Sequence, residues 1–140
     1  MMDMQKTILI VDDTDTNIHV LMELLGDKYD ILASLNGYDA LEIINEEHID
    51  LILLDIMMPL IDGYEVCKKL KENPKTKDIP IIFITAKTDE DSIEKAYEVG
   101  GVDYITKPFK AREVFCTFIK LLLNILEIVL YLMFQTKLQS

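Results

Sequence analysis

Short apolar segments alternate along most of the chain with longer segments of helical periodicity. The apolar segments are rich in the β-branched residues that favour strands, and five of them recur, at residues 7–11, 29–34, 51–54, 81–84 and 102–105. Between them, apolar side chains recur every three or four residues, as at Ile18, Leu21 and Leu25, which predicts five helices. Strict alternation of strand and helix predicts a doubly wound α/β domain with a five-stranded parallel sheet.

Length, charge and cysteine content narrow the class of protein. A chain of 140 residues is about the size of one compact domain, which we assign to residues 1–120. The net charge of −11 disfavours binding of nucleic acid and of anionic lipid by this domain. Cys67 and Cys116 have no close partner in sequence, and the start of the chain does not resemble a signal peptide, so we expect a cytoplasmic protein. His19 and His48 lack the spacing of metal motifs, and we expect ordinary surface residues.

Carboxylates follow two of the predicted strands. Asp12 and Asp13 come directly after the first strand, and Asp55 comes after the third. In a doubly wound sheet of order 2-1-3-4-5, ligands bind outside the carboxyl ends of strands one and three. The same reasoning brings Thr85, after strand four, and Lys107, after strand five, to the rim of this crevice.

This set of side chains suits phosphoryl transfer. Three neighbouring carboxylates repel one another unless a cation compensates, and oxygen ligands of this kind favour Mg²⁺. An aspartate can act as the nucleophile and form an acyl phosphate, with the metal and Lys107 sharing the charge of the transferred group and Thr85 donating a hydrogen bond. An Asp-Asp pair after a single strand is usually only a loop or helix start. Convergence of four strand ends on one place favours the functional interpretation.

The motifs that carry these residues resemble a known family. They are ILIVDD at 8–13, LILLDIMMP at 51–59 followed by Asp62-Gly63, ITA at 84–86 and DYITKPF at 103–109. In order and spacing they resemble the receiver domains of bacterial two-component response regulators, of which the chemotaxis regulators are one kind. The resemblance extends from about residue 6 to about residue 119.

The resemblance implies a role for each matching position. Asp55 would be the phosphoacceptor, and Mg²⁺ would be held by Asp13 directly, by Asp12 through water, by Asp55 and by the carbonyl of Met57. Lys107, before a cis Pro108, would bind the phosphoryl group, and Thr85 and Tyr104 would be the switch pair. A sensor histidine kinase would be the phosphodonor, and phosphorylation would change the face of helix four, strand five and helix five that controls an unknown output protein or domain. Such a domain is no enzyme beyond its own phosphorylation and slow dephosphorylation.

Two alternatives share parts of this pattern. A flavodoxin-like carrier has the same flavodoxin-like sheet, but it needs a neutral phosphate-binding loop after strand one, where this chain has Asp12 and Asp13. A magnesium-dependent phosphohydrolase could use Asp55 as its nucleophile, but it needs a nearby acid to protonate the leaving group. Two residues after Asp55 stands Met57, which cannot do so.

The carboxyl-terminal segment departs from the family pattern. Residues 121–134 are apolar almost all round, with a narrow polar stripe that continues from helix five, so we predict one long last helix with residues 121–140 as an extension for interaction. Asn124 and Glu127 interrupt a stretch already shorter than the about 20 residues of a membrane span. We therefore expect a homodimer through the uncovered apolar residues Ile125, Leu126, Ile128, Val129, Leu132 and Met133. A tail truncated or altered from a longer protein with an output domain is the alternative.

Overall fold

The computed structural model describes the backbone of residues 5–139, and the side chains of that range except those of residues 119, 122–129, 138 and 139. In the described range there are five strands and five helices, as predicted, with bounds that differ from the predicted ones by a residue or so. The strands are β1 (Thr7–Val11), β2 (Asp30–Ser34), β3 (Leu51–Asp55), β4 (Ile81–Thr85) and β5 (Asp103–Thr106). The helices are α1 (Asp15–Leu25), α2 (Gly37–Glu46), α3 (Gly63–Glu72), α4 (Glu90–Glu98) and α5 (Ala111–Gln139).

All five strands form one parallel sheet. Its order is β2-β1-β3-β4-β5, which confirms the predicted topology. Val11 pairs with Leu54, and Asp55 pairs with Ile84. The register therefore ends β1, β3 and β4 at the same edge of the sheet, where ligands of doubly wound folds bind.

The centre of the sheet is the most buried part of the described chain. Every residue of β3 and of β4 is buried, which explains why these strands are apolar without alternation. Phe83 is the largest of the fully buried side chains, and it packs on the face that Val66 and Leu70 of α3 also cover. The two strands that end at Asp55 and Thr85 are thus covered on both faces.

The start of α3 is packed directly against the end of β3. Asp62 caps the helix, because its side chain accepts a hydrogen bond from Glu65 N at 2.9 Å. Gly63 N donates to Ile56 O at 2.8 Å. A Cβ on Gly63 would lie 2.2 Å from the carbonyl oxygen of Asp55, so only glycine permits this approach. The Asp62-Gly63 pair therefore fixes the backbone that carries Asp55.

The last helix belongs to a second compact unit of the chain, since the two units divide after Phe109. α5 has 29 residues, which confirms that the last helix is extended. The predicted division at residue 120 falls inside α5 and stays a prediction.

Only part of the predicted dimer surface can be described. Ile125, Leu126, Ile128 and Val129 lie outside the described side chains. Leu132 and Met133 are 57% and 62% exposed, within an exposed apolar run from residue 130 to residue 134. In the described part of the chain, no helix has a stretch long and apolar enough to cross a bilayer.

Candidate functional site

Three carboxylates meet at the carboxyl edge of the sheet. Asp12 follows β1 and is fully buried, Asp55 ends β3, and Asp13 is exposed beside them. One carboxylate oxygen from each lies within 4.8 Å of the others. In the part of the chain that the structure describes, this is the one group of three or more possible metal-ligating side chains. The structure thus brings together the three acids that the sequence places after strands one and three.

Lys107 joins two of these carboxylates. Its Nζ lies 3.0 Å from Asp12 Oδ2 and 3.1 Å from Asp55 Oδ1. Its backbone N–H donates to Thr85 O at 2.9 Å, and its bond to Pro108 is cis, as the resemblance implied. Burial lowers the pKa of Lys107, but the hydrogen bond to Asp12 and the charges of both carboxylates outweigh burial and raise that pKa. Lys107 is therefore a fixed positive charge at the site.

Of the two buried carboxylates, Asp55 is the less satisfied. It is 2% exposed, and burial, followed by the negative charge of Asp12, raises its pKa to about 6 despite Lys107. Lys107 contacts Oδ1, whereas Oδ2 is buried and accepts no hydrogen bond from any described residue. A buried carboxylate oxygen without a partner is costly, and a hard divalent cation beside an all-oxygen donor set is what would offset that cost. The residues present therefore fit a site for Mg²⁺.

Asp12, in contrast, has donors on both oxygens. Oδ1 accepts from Thr14 N at 2.9 Å, Oδ2 is bound by Lys107, and the side-chain amide of Asn17 lies 3.3 Å from each oxygen. Sequence reasoning did not single out Asn17. The available signal was an amide five residues after Asp12, in the first turns of the helix that starts at the site. At that position an amide can donate to the carboxylate from which the chain enters the helix.

Thr85 lies at the site, whereas Tyr104 lies on the neighbouring strand β5, two residues before the position that pairs with Thr85. Thr85 is buried, and its hydroxyl accepts from Lys87 N at 2.8 Å and donates to Lys87 O at 3.3 Å. Tyr104 pairs with Phe83, two residues before Thr85. Its ring is edge-on to that of Tyr97 in α4, with ring centroids 6.3 Å apart. Thr85 thus organises the loop after β4, while Tyr104 connects β5 to α4.

Two exposed side chains lie in the loops that follow Asp55 and Thr85. Met57 lies two residues after Asp55, in the connection to α3, and its side chain is exposed. Lys87 lies two residues after Thr85 and is also exposed. Neither makes a described side-chain contact with Asp55, so their bearing on the site rests on their positions in the two loops.

Comparison with known proteins gives concordant results. The family model described as "Response regulator receiver domain" matches residues 8–118. The phosphate regulon transcriptional regulatory protein PhoB of Pseudomonas aeruginosa is 47% identical over 111 residues, which cover 77% of this chain and 48% of that protein. A "Probable cyclic di-GMP phosphodiesterase" of Vibrio cholerae is 47% identical over 104 residues, which cover 74% of this chain and 24% of that protein.

Solved structures have the same fold. The chemotaxis response regulator CheY4 of Vibrio cholerae superimposes with a TM-score of 0.79 at 24% identity, covering 84% of this chain and 98% of that one. That likeness shows the fold alone. The matched curated relatives are longer, since this chain spans only about a quarter to a half of their length.

Proposed function

This chain belongs to the response regulator receiver domains, and we propose that within this family it is a phosphorylation switch in which Asp55 accepts a phosphoryl group from a sensor histidine kinase. One observation carries the proposal: Asp55 is buried with Lys107 on one carboxylate oxygen and no described partner on the other. A carboxylate that served only the fold would have both oxygens satisfied. This one retains an oxygen for a cation and another for chemistry.

The residues suggest how transfer proceeds. Asp55 Oδ1 forms a bond to phosphorus while the bond from phosphorus to the imidazole nitrogen of the kinase breaks, and that nitrogen keeps the electron pair. Lys107 Nζ lies 3.1 Å from Oδ1, close to where the equatorial phosphoryl oxygens gain charge in transfer. Asp55 must be ionised to act as the nucleophile, so a pKa of about 6 leaves it competent at neutral pH.

We assign the cation site to the same residues. Asp13, Asp55 Oδ2 and the carbonyl of Met57 would hold Mg²⁺ directly, and Asp12 would act through water. When bound, Mg²⁺ supplies positive charge that stabilises the transferring phosphoryl oxygens. The supporting features are the grouping of the three carboxylates and the unpartnered Asp55 oxygen.

The conformational change on phosphorylation would begin with the hydroxyl of Thr85. In the structure its Oγ1 lies 3.3 Å from Lys87 O, a long hydrogen bond. A phosphoryl oxygen on Asp55 is a stronger, charged acceptor. The hydroxyl would turn toward it and release the carbonyl of Lys87. Tyr104 would then move inward and change the face formed by α4 and β5, which we infer controls an unknown output protein or domain.

The only chemistry we assign to this chain is its own phosphorylation and slow dephosphorylation. We place it in a reducing cytoplasm, where Cys67 and Cys116 stay free thiols.

We also propose that the chain is a homodimer through α5, which the exposure of Leu132 and Met133 supports. Sedimentation should give twice the chain mass, and Leu132→Glu with Met133→Glu should give monomers. A monomeric parent chain would contradict this assignment.

The proposal is tested by phosphorylation with acetyl phosphate, followed by intact-mass spectrometry. The wild-type chain should gain one phosphoryl group only when Mg²⁺ is present, and Asp55→Asn should gain none. Asp50→Asn is the matched control, because Asp50 immediately precedes the same strand, and it should be labelled like the wild type. Labelling of Asp55→Asn at the wild-type rate would show that another residue is the acceptor.

A further inference from the structure

We propose that Asn17 determines which cation the site accepts, by keeping Asp12 out of direct contact with the metal. This inference rests on the proposed function and goes beyond it, because it assigns a role to a residue of α1 that lies outside the catalytic set. Asn17 is a positioning residue in this scheme, since it acts through Asp12.

The hydrogen bonds of Asp12 carry the argument. An ionised carboxylate has about four lone-pair sites, two on each oxygen. Asp12 Oδ1 meets Thr14 N at 2.9 Å and Asn17 Nδ2 at 3.3 Å. Asp12 Oδ2 meets Lys107 Nζ at 3.0 Å and Asn17 Nδ2 at 3.3 Å. Each oxygen of Asp12 is thus met from two directions, and Asn17 contributes to both through one amide N–H that the two oxygens share.

Because both oxygens of Asp12 already have hydrogen-bond donors, fewer carboxylates are available to bind a cation directly. With Asp12 occupied, only Asp13 and the free Oδ2 of Asp55 remain. Mg²⁺ uses one or two carboxylates and retains water for its other positions, whereas Ca²⁺ takes about six to eight oxygens and accepts more carboxylates in irregular geometry. Two available carboxylates therefore suit Mg²⁺, and a third would shift the preference toward Ca²⁺.

Asn17 is the donor best placed to control this count. The Thr14 donor is a backbone N–H at the start of α1, and Lys107 is shared with Asp55. The Asn17 amide is neutral, so it occupies Asp12 without adding a positive charge that would repel a cation. Its removal opens a lone-pair site on each oxygen of Asp12 while the net charge of the site stays the same.

The test measures dissociation constants for Mg²⁺ and for Ca²⁺ by isothermal titration calorimetry on the full chain. In Asn17→Leu, which keeps a similar volume, the affinity for Ca²⁺ relative to Mg²⁺ should increase about tenfold, the change expected for one hydrogen bond to a charged group. Asn17→Ser, with a shorter side chain, should change the ratio in the same direction, and serves if the leucine variant does not fold. Thr16→Ala, at an exposed neighbouring position of α1, is the matched control and should keep the wild-type ratio.

The outcomes separate this inference from the proposed function. A wild-type ratio in folded Asn17 variants, in a protein whose Asp55 is labelled with Mg²⁺, would overturn the role of Asn17 and leave the phosphorylation proposal standing. A wild-type chain that binds neither cation and is not labelled would overturn both.

Discussion

The two ends of β3 carry the same residue type in opposite states. Asp50 lies immediately before the strand, and its oxygens meet Thr7 N at 2.8 Å and His48 Nε2 at 2.9 Å. Burial alone would raise the pKa of Asp50, but the hydrogen bonds from Thr7 and His48 outweigh it and lower that pKa. Asp55 ends the strand, where burial raises its pKa to about 6.

The difference separates a carboxylate whose two oxygens are both bound within the fold from one whose second oxygen is left over. At the amino end, a carboxylate that is 23% exposed connects β1 to the start of β3, and both of its oxygens have donors. At the carboxyl end, a buried carboxylate keeps one oxygen unpartnered and is harder to ionise. A group whose pKa is raised by burial and like charge, in a cleft of other charges, is typical of functional sites.

The largest expected change in the free energy of unfolding comes from removal of the Lys107 ammonium at the carboxyl end of β3. Lys107→Ala leaves Asp12 and Asp55 buried without their shared ammonium, and breaking a buried pair in this way typically costs about 3–5 kcal/mol. At the other end, His48 is mostly exposed, so His48→Ala should cost at most a few tenths of a kcal/mol, on the order of a surface pair. Urea unfolding at neutral pH without Mg²⁺ measures both. Similar losses for the two variants would contradict the contrast between the ends.

The next largest effect is on the free energy of unfolding when each aspartate is replaced by asparagine, and it has opposite signs for Asp55 and Asp50. Because the folded state holds Asp55 at a pKa of about 6 rather than 3.8, its ionisation opposes folding above that range, and Asp55→Asn should stabilise the metal-free protein by on the order of 3 kcal/mol at neutral pH. Asp50 has a lowered pKa, so its charge favours folding, and Asp50→Asn should destabilise the protein by about 1 kcal/mol.

The pH dependence provides the control for these signs. The folded wild type binds more protons at Asp55 than the unfolded chain does between pH 3.8 and about 6, so the advantage of Asp55→Asn should grow with pH across that window and be absent below it. The loss in Asp50→Asn should instead disappear as the pH falls below the ordinary range of an aspartate. Mg²⁺ should reduce the advantage of Asp55→Asn. An advantage that is constant with pH would show that Asp55 ionisation is not its source.

A smaller effect concerns the lifetime of the phosphoryl group at Asp55. Met57 cannot orient a water molecule by a strong hydrogen bond, and Lys87 can shield the phosphoryl group, so we expect slow hydrolysis. Met57→Asn combined with Lys87→Ala should shorten the half-life roughly tenfold, below the hundredfold typical of a positioned general base. Loss of phosphoryl mass over time measures the half-life, and Lys68→Ala, an exposed lysine of α3, is the control. An unchanged or longer half-life would remove the argument.

The smallest expected effect is a movement of Tyr104. In the structure its ring is edge-on to Tyr97, at 6.3 Å between centroids. Phosphorylation should shift the Tyr104 ring inward, which changes its aromatic NMR signals, and Thr85→Ala should abolish the change because the hydroxyl no longer responds. The same rotamer distribution in the free and phosphate-mimic forms would count against the coupling.

The sequence predicted the sheet and the convergence of charged residues for one physical reason. Parallel strands end at a common edge, so residues placed after separate strands meet in space, as Asp12, Asp55 and Lys107 do. The sequence did not predict that Oδ2 of Asp55 lacks a partner, nor that Asn17 hydrogen-bonds Asp12. Both depend on side-chain directions within a few ångströms, which periodicity does not encode. The role of the apolar tail stays a prediction, because it depends on what covers α5.

The contact between Gly63 and the end of β3 makes the geometry of the site depend on a residue that has no side chain. Gly63 carries no chemical group, yet any side chain there would come within 2.2 Å of the Asp55 carbonyl and force either the strand end or the start of α3 to move. A single substitution at this position should therefore displace the backbone of Asp55 while it leaves every charged residue of the pocket intact.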